Sequence, residues 1–115
     1  MDKVTLITLL FDFYGQLLTE RQQKFIELYH GNDYSLGEIA ETYNVSRQAV
    51  HDTLKRAENM LQNYEQKLQL VNKFLTQRSK LAEAARLLEE CSQSVPGQAL
   101  KAREILQQVL EMDRG

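Results

Sequence analysis

The chain has 115 residues, a formal net charge of −2 and a single cysteine. That length holds one small domain, or a small domain with a helical extension, and the near-balanced charge argues against a polyanion-binding tail or a membrane-surface binder. A lone Cys91 excludes an internal disulfide and suits a reducing cytosol.

No apolar run reaches the length of a membrane span. The segment Val4–Leu10 is short for a signal peptide, with Asp2 offsetting Lys3 and Asp12 breaking the apolar run, so the expected location is the cytoplasm. With one proline and no long period-two alternation, the chain reads as all-helical.

The first predicted helix runs from about Val4 to Leu18. It carries one apolar stripe at Val4, Ile7, Phe11, Tyr14 and Leu18 and a second at Leu6, Leu9, Leu10, Phe13 and Leu17. A helix apolar on two sides must bury both. One side covers a core; the other is expected to meet C-terminal helices or a second subunit. Thr19 with Gln22 forms a capping box that opens the next helix, whose core side is Phe25, Ile26 and Tyr29. Gly31-Asn32-Asp33 ends it.

Residues 35–56, SLGEIAETYNVSRQAVHDTLKR, have the pattern of a helix-turn-helix. Ser35 and Glu38 make a second capping box, and Ile39, Ala40 and Tyr43 form an apolar face. Ala40 is small, as a close helix crossing requires. Asn44 stands at the turn, where the backbone goes left-handed and Asn is tolerated best after Gly. Val45 plugs the turn, Ser46 caps the second helix, and Val50 and Leu54 face back onto the first.

Arg47, Gln48, His51, Asp52 and Lys55 are then left pointing outward. In this motif the start of the second helix enters the major groove. Arg47 and Gln48 are placed for base edges, and Lys55 and Arg56 for phosphates, with His51 a further contact. Against this stands the local charge. Residues 19–56 hold five Lys/Arg and six Asp/Glu, and Asp52 lies on the would-be recognition helix. Phosphate contacts dominate affinity through counterion release, so the deficit leaves a protein-binding or scaffold role open beside nucleic-acid binding.

From Ser46 no Gly or Pro occurs before Pro96. Apolar residues recur at Val50, Leu54, Ala57, Leu61, Tyr64, Leu68, Val71 and Leu75. Leu54, Leu61, Leu68 and Leu75 are spaced by seven, a heptad seam that predicts a dimer or intrachain packing. A helix continuous to Gln77 is roughly 47 Å long. The phase breaks at Arg78, and Ser79 can cap a new helix carrying Leu81, Ala84, Ala85 and Leu88. Residues 92–97 read as a turn. Pro96 suits the first turn of a last helix with Ala99, Ala102, Leu106 and Val109 on one side. Two parts result: residues 1–56, the N-terminal helix with the helix-turn-helix, and residues 57–115, the long helix continuation with a C-terminal helical hairpin or helices that fold back on the N-terminal domain.

Other chemistry finds little support. His30 and His51 are far apart in sequence, and one cysteine gives no ligand cluster, so no metal is expected. There is no Gly-rich phosphate loop and no cofactor motif. Glu89-Glu90 reads as a solvated pair. No nucleophile–base pair is evident, and an enzyme is not expected.

Phe11-Asp12-Phe13-Tyr14, followed by LLTERQQKFIELYHGNDYSLGEIAETYNVSRQAVHDTLKRAENMLQNYEQKL, resembles the YlxM family, small helix-turn-helix proteins of Gram-positive bacteria. The likeness spans about residues 4–75 and includes the spacing of LLT, DYSL, EIA and VSRQAV. Residues 19–60 also resemble the promoter-reading region four of sigma factors. The fold implied is a tri-helical helix-turn-helix domain with a long heptad-patterned helix and a C-terminal helical extension. The resemblance implies an intracellular regulatory protein encoded beside, and acting with, the signal recognition particle GTPase. Its implied partners are DNA, the particle's RNA or that GTPase. Thr53 departs from the sigma pattern, which has an aliphatic residue there. The charge deficit around Asp52 is a second departure. The alternative is a helical adaptor that binds a protein partner and no nucleic acid.

Overall fold

A computed structural model describes residues 1–91 and 96–112. All the regular structure among them is helical: α1 (Lys3–Tyr14), α2 (Glu20–Ile26), α3 (Leu36–Tyr43), α4 (Arg47–Leu68), α5 (Leu70–Cys91) and α6 (Pro96–Met112). The chain divides into two units, Met1–Val71 and Asn72–Gly115.

In the first unit each helix begins on a side-chain cap. The Asp2 carboxylate accepts from the Thr5 backbone N–H at 2.7 Å, a bond that holds its carboxyl below the usual range. Thr19 with Gln22 and Ser35 with Glu38 form complete capping boxes, as their spacing predicts. Helix α1 ends earlier than Leu18. A 3-10 turn at Gly15–Leu17 tightens it, and a Cβ at Gly15 would stand 2.9 Å from the Phe11 ring.

The buried side of α1 is Ile7, Leu10 and Tyr14, drawing on both stripes read from the sequence. Leu6, Leu9 and Phe11 flank it half-buried, while Val4, Phe13 and Leu17 are exposed. This side packs on Phe25, Ile26, Ile39, Ala40, Val50, Leu54, Ala57 and Leu61 in one cluster. Phe25 meets Tyr43 edge-on at 4.9 Å, and the Arg21 guanidinium lies over both rings.

Tyr29 is not on the core side. After Ile26 the helix widens into a π turn, Glu27–Gly31, closed by the Asn32 N–H on the Glu27 carbonyl at 3.0 Å. The wider turn shifts the phase, and Tyr29 is exposed while Leu28 packs against the core. Asp33, rather than Gly31, takes the left-handed conformation, at φ 57°.

The long helix is real, but it does not run on to Gln77. Helix α4 stops at Leu68, and Gln69 adopts the left-handed conformation at φ 58°, ψ 27°. The reason is long-range. The Tyr14 hydroxyl donates to Glu65 Oε1 at 2.6 Å and accepts from the Leu70 N–H at 3.0 Å. The same Glu65 oxygen accepts from the Val71 N–H at 3.0 Å. The phenol and the carboxylate together cap α5, with the negative charge at its N-terminus. Gln69 Nε2 satisfies the Gln66 carbonyl left over at the end of α4 and adds a second bond to the Glu65 carbonyl, which already accepts from the Gln69 N–H. Helix α5 then passes through Arg78 and Ser79 without the break expected there.

In the second unit α5 and α6 run antiparallel. Arg78 bonds to the Leu110 carbonyl at 3.0 Å near one end, and Arg103 to Glu89 at 3.3 Å near the other. Ala85 and Ala99 are buried here, flanked by half-buried Leu81, Ala84, Leu88, Ala102 and Leu106. Val109, read as lying on the same side, is exposed. Of the turn expected at residues 92–97, residues 92–95 lie outside the described residues.

Candidate nucleic-acid interface

Helices α3 and α4 form the helix-turn-helix. Asn44 sits at φ 54°, ψ 48°, the left-handed conformation its position requires. The Val45 N–H then closes on the Ala40 carbonyl at 3.0 Å. The Ser46 hydroxyl accepts from the Ala49 N–H at 3.0 Å and starts α4. Val50 and Leu54 are buried in the core cluster that also holds Ile39 and Ala40 of α3, which fixes the rotation of α4 about its axis.

That rotation exposes Arg47, Gln48, His51, Asp52, Lys55 and Arg56 together. The exposed set carries three permanent cations and one carboxylate, so the outward face of α4 is positive although the motif as a whole is not. Thr53 is half-buried, its hydroxyl turned onto the Ala49 carbonyl at 2.9 Å, which accommodates a polar residue at that place.

The face has internal order. Asp52 Oδ1 accepts from Gln48 Nε2 at 2.9 Å and lies 3.5 Å from His51 Nδ1. The Gln48 amide is therefore engaged within the helix. The Arg47 guanidinium folds back over the start of α3: a Cβ at Gly37 would stand 3.1 Å from its Nε. Glycine at 37 leaves room for this. Among the described residues no ion pair engages Arg47, Lys55 or Arg56.

The four leucines of the heptad series part company. Leu54 and Leu61 are 4% and 0% exposed, inside the core of the first unit, so packing within the chain accounts for both. Leu68 ends α4 exposed, and Leu75 is exposed on α5. The break at Gln69 stops the series from forming one seam on one helix.

Beside the positive face lies a group that sequence reading missed. Glu58 is 8% exposed, and its carboxylate lies 3.2 Å from His30 Nε2 and 3.3 Å from Lys3 Nζ. His30 and His51, distant in sequence, line the same cavity with it. A signal was present: Glu58 falls four residues after Leu54 and three before Leu61, a carboxylate on an apolar stripe. Among the described residues no group of three or more His, Cys, Asp or Glu is placed to hold a metal ion.

A family profile described as "Putative helix-turn-helix protein, YlxM / p13 like" matches residues 1–105. The chain belongs to this family. It is similar to a UPF0122 protein of Desulforamulus reducens, 58% identical over 106 residues that make up 91% of each chain. It is 48% identical over 111 residues to a UPF0122 protein of Acetivibrio thermocellus, covering 96% of this chain and 93% of that one. A UPF0122 protein of Anoxybacillus flavithermus is 46% identical over 114 residues, covering 99% and 97%. The family is one of helix-turn-helix proteins, in keeping with the Ser46 cap, the Asn44 turn and the packing of α4 on α3. No helix among the described residues is long and apolar enough to cross a membrane.

Proposed function

We infer that this protein is a nucleic-acid-binding regulator of the cytoplasm that acts in the signal recognition particle pathway. Arg47, Gln48, His51, Lys55 and Arg56 are its contact residues. The observation that carries the reading is the outward face of α4, the second helix of the motif, where three cations stand exposed around one carboxylate. Lys55 and Arg56 serve phosphates, and Arg47, once it swings off Gly37, serves a base edge or a phosphate. Asp52 lowers the counterion release of the face and holds Gln48 from a base. Both effects favour moderate affinity over tight operator binding. The pathway assignment rests on the family resemblance. The protein acts as a homodimer in this reading, for which the exposed Phe13, Leu17 and Leu68 are the support; a monomeric mass by sedimentation at micromolar concentration would overturn that part.

The test is anisotropy with labelled random duplex and with signal recognition particle RNA, for the wild type and for a K55A/R56A double variant. Loss of at least tenfold in affinity in the variant supports the contact face. Equal binding by both proteins removes it, and pull-down of the particle GTPase without any nucleic-acid binding would favour the adaptor reading.

A further inference from the structure

Next to the outward face of α4 lies a cavity of about 270 Å³, lined partly by the helix-turn-helix and partly by α1 and the π turn. Its walls come from the first turn of α1, the π turn after α2, the start of α3, and α4. Three chemistries meet in it. Tyr29 and Val4, both exposed, supply a flat apolar wall, with the Tyr29 ring edge-on to His30 at 5.1 Å. Lys55 and His51 stand on the side that continues into the exposed face of α4. Glu58, the buried charged residue of the described core, presents a carboxylate steadied by His30 and Lys3.

Each chemistry restricts the occupant. A buried carboxylate rejects an anionic group beside it and accepts from N–H donors; its two oxygens have about four acceptor positions, and the two partners leave some of them open. Lys55 lies about 4.5 Å from Glu58 along the helix axis and His51 about 10 Å, so a cation stands within reach of the carboxylate and an imidazole N–H donor follows towards the outer face. The occupant therefore has a flat body, adjacent N–H donors at one edge and a negative charge at the other. Guanine meets the first two demands, with N1–H and the N2 amino group side by side, and its nucleotide phosphate meets the third. The volume lies just below the roughly 300–1,000 Å³ of typical small-molecule sites, which suits a single nucleotide rather than a larger cofactor.

We propose that this cavity takes one unpaired guanosine nucleotide of a bound strand. The base stands against Tyr29, its donor edge faces Glu58, and its phosphate lies at Lys55 and His51. The site rests on the nucleic-acid reading of α4, because a strand along that helix brings the nucleotide to the mouth. It adds a preference that the helix-turn-helix surface does not have, for a base released from pairing.

The experiment uses the full chain and two labelled single strands of about ten nucleotides, one all uridine and one with a single central guanosine, at fixed salt. The guanosine strand binds about tenfold tighter in the expected result. Tyr29→Ala abolishes that difference, through a roughly tenfold loss for the guanosine strand, within the range of a lost base–aromatic stack. Tyr29→Phe keeps it. Glu58→Gln abolishes it too, and because Glu58 is buried, the exposed Tyr29 pair decides the matter if that variant does not fold. Equal binding of the two strands by the wild type overturns the proposal, as does a guanosine preference that survives Tyr29→Ala. Duplex binding without any guanosine preference removes the cavity site and leaves the α4 face standing; binding to no nucleic acid removes both.

Discussion

Replacing Tyr14 by Phe removes one oxygen atom and with it two of the hydrogen bonds at the turn where α4 ends and α5 begins. That oxygen donates to Glu65 at 2.6 Å and accepts from the Leu70 N–H at 3.0 Å, on a residue only 1% exposed. A bond to a charged acceptor contributes about 1.5–3 kcal/mol, and an N–H left without its partner costs about a further 1 kcal/mol. The ring keeps its packing, including its stacking on Tyr64 at 5.9 Å, so the loss is polar. Tyr14→Phe is expected to lose about 2–4 kcal/mol in urea unfolding followed by far-ultraviolet circular dichroism. The pH dependence gives an independent signature. Burial, and then the bond to Glu65, push the Tyr14 phenol above its ordinary value of 10.0. As pH rises the unfolded chain loses this proton first. The contribution is therefore intact below about pH 10 and is lost as pH climbs towards the higher folded value. The wild type should lose stability in that alkaline window more steeply than the variant. A loss below about 0.5 kcal/mol, or parallel alkaline profiles for the two proteins, would mean that the Tyr14 oxygen does not stabilise this turn.

Three further outcomes are expected from the same geometry. Gln69→Val is expected to cost about 1–2 kcal/mol, because a β-branched residue fits the left-handed conformation poorly; a cost of a few tenths, the ordinary helix-propensity difference, would mean that α4 and α5 are one helix. Gly37→Ala should stabilise α3 by about 0.5 kcal/mol in the same urea assay, since the exposed Arg47 side chain can swing away, and destabilisation by more than about 1 kcal/mol would show that Arg47 is fixed there. Asp52→Asn should raise affinity for duplex DNA about fivefold, the effect of removing roughly 1 kcal/mol of surface repulsion, and unchanged affinity in an anisotropy titration would place Asp52 outside the contact face.

The parts of the fold that could be read from sequence are those fixed by neighbours along the chain. The capping boxes at Thr19 and Ser35, the left-handed Asn44 and the Ser46 cap all depend on residues within a few positions, and the apolar spacing of Ile39, Ala40, Val50 and Leu54 comes from helix geometry alone. The break at Gln69 could not be read that way. Nothing local opposes a helix there; the cause is Tyr14, on another helix. Tyr29 went astray for a different reason, since a π turn adds a residue to the helical period and the ordinary spacing then points the wrong way. At the candidate interface the exposed face of α4 was legible residue by residue. Its internal restraint was not: the bond from Gln48 to Asp52 is one rotamer among several, and the packing of Arg47 on Gly37 needs both helices in place. The Glu58 group joins three elements, α1, the π turn and α4, so only the folded chain brings Lys3, His30 and Glu58 together.

If α4 presents a phosphate-contacting surface, a salt titration of binding reads it out. Anisotropy would be measured for labelled duplex DNA and for signal recognition particle RNA from low to physiological salt. With Arg47, Lys55 and Arg56 as the contacts, the logarithm of affinity for duplex should fall with that of salt at a slope of about −2 to −3. The slope should flatten by about 1 for each cation removed. Absence of binding to both nucleic acids at low salt, or binding whose affinity ignores salt, would contradict the account.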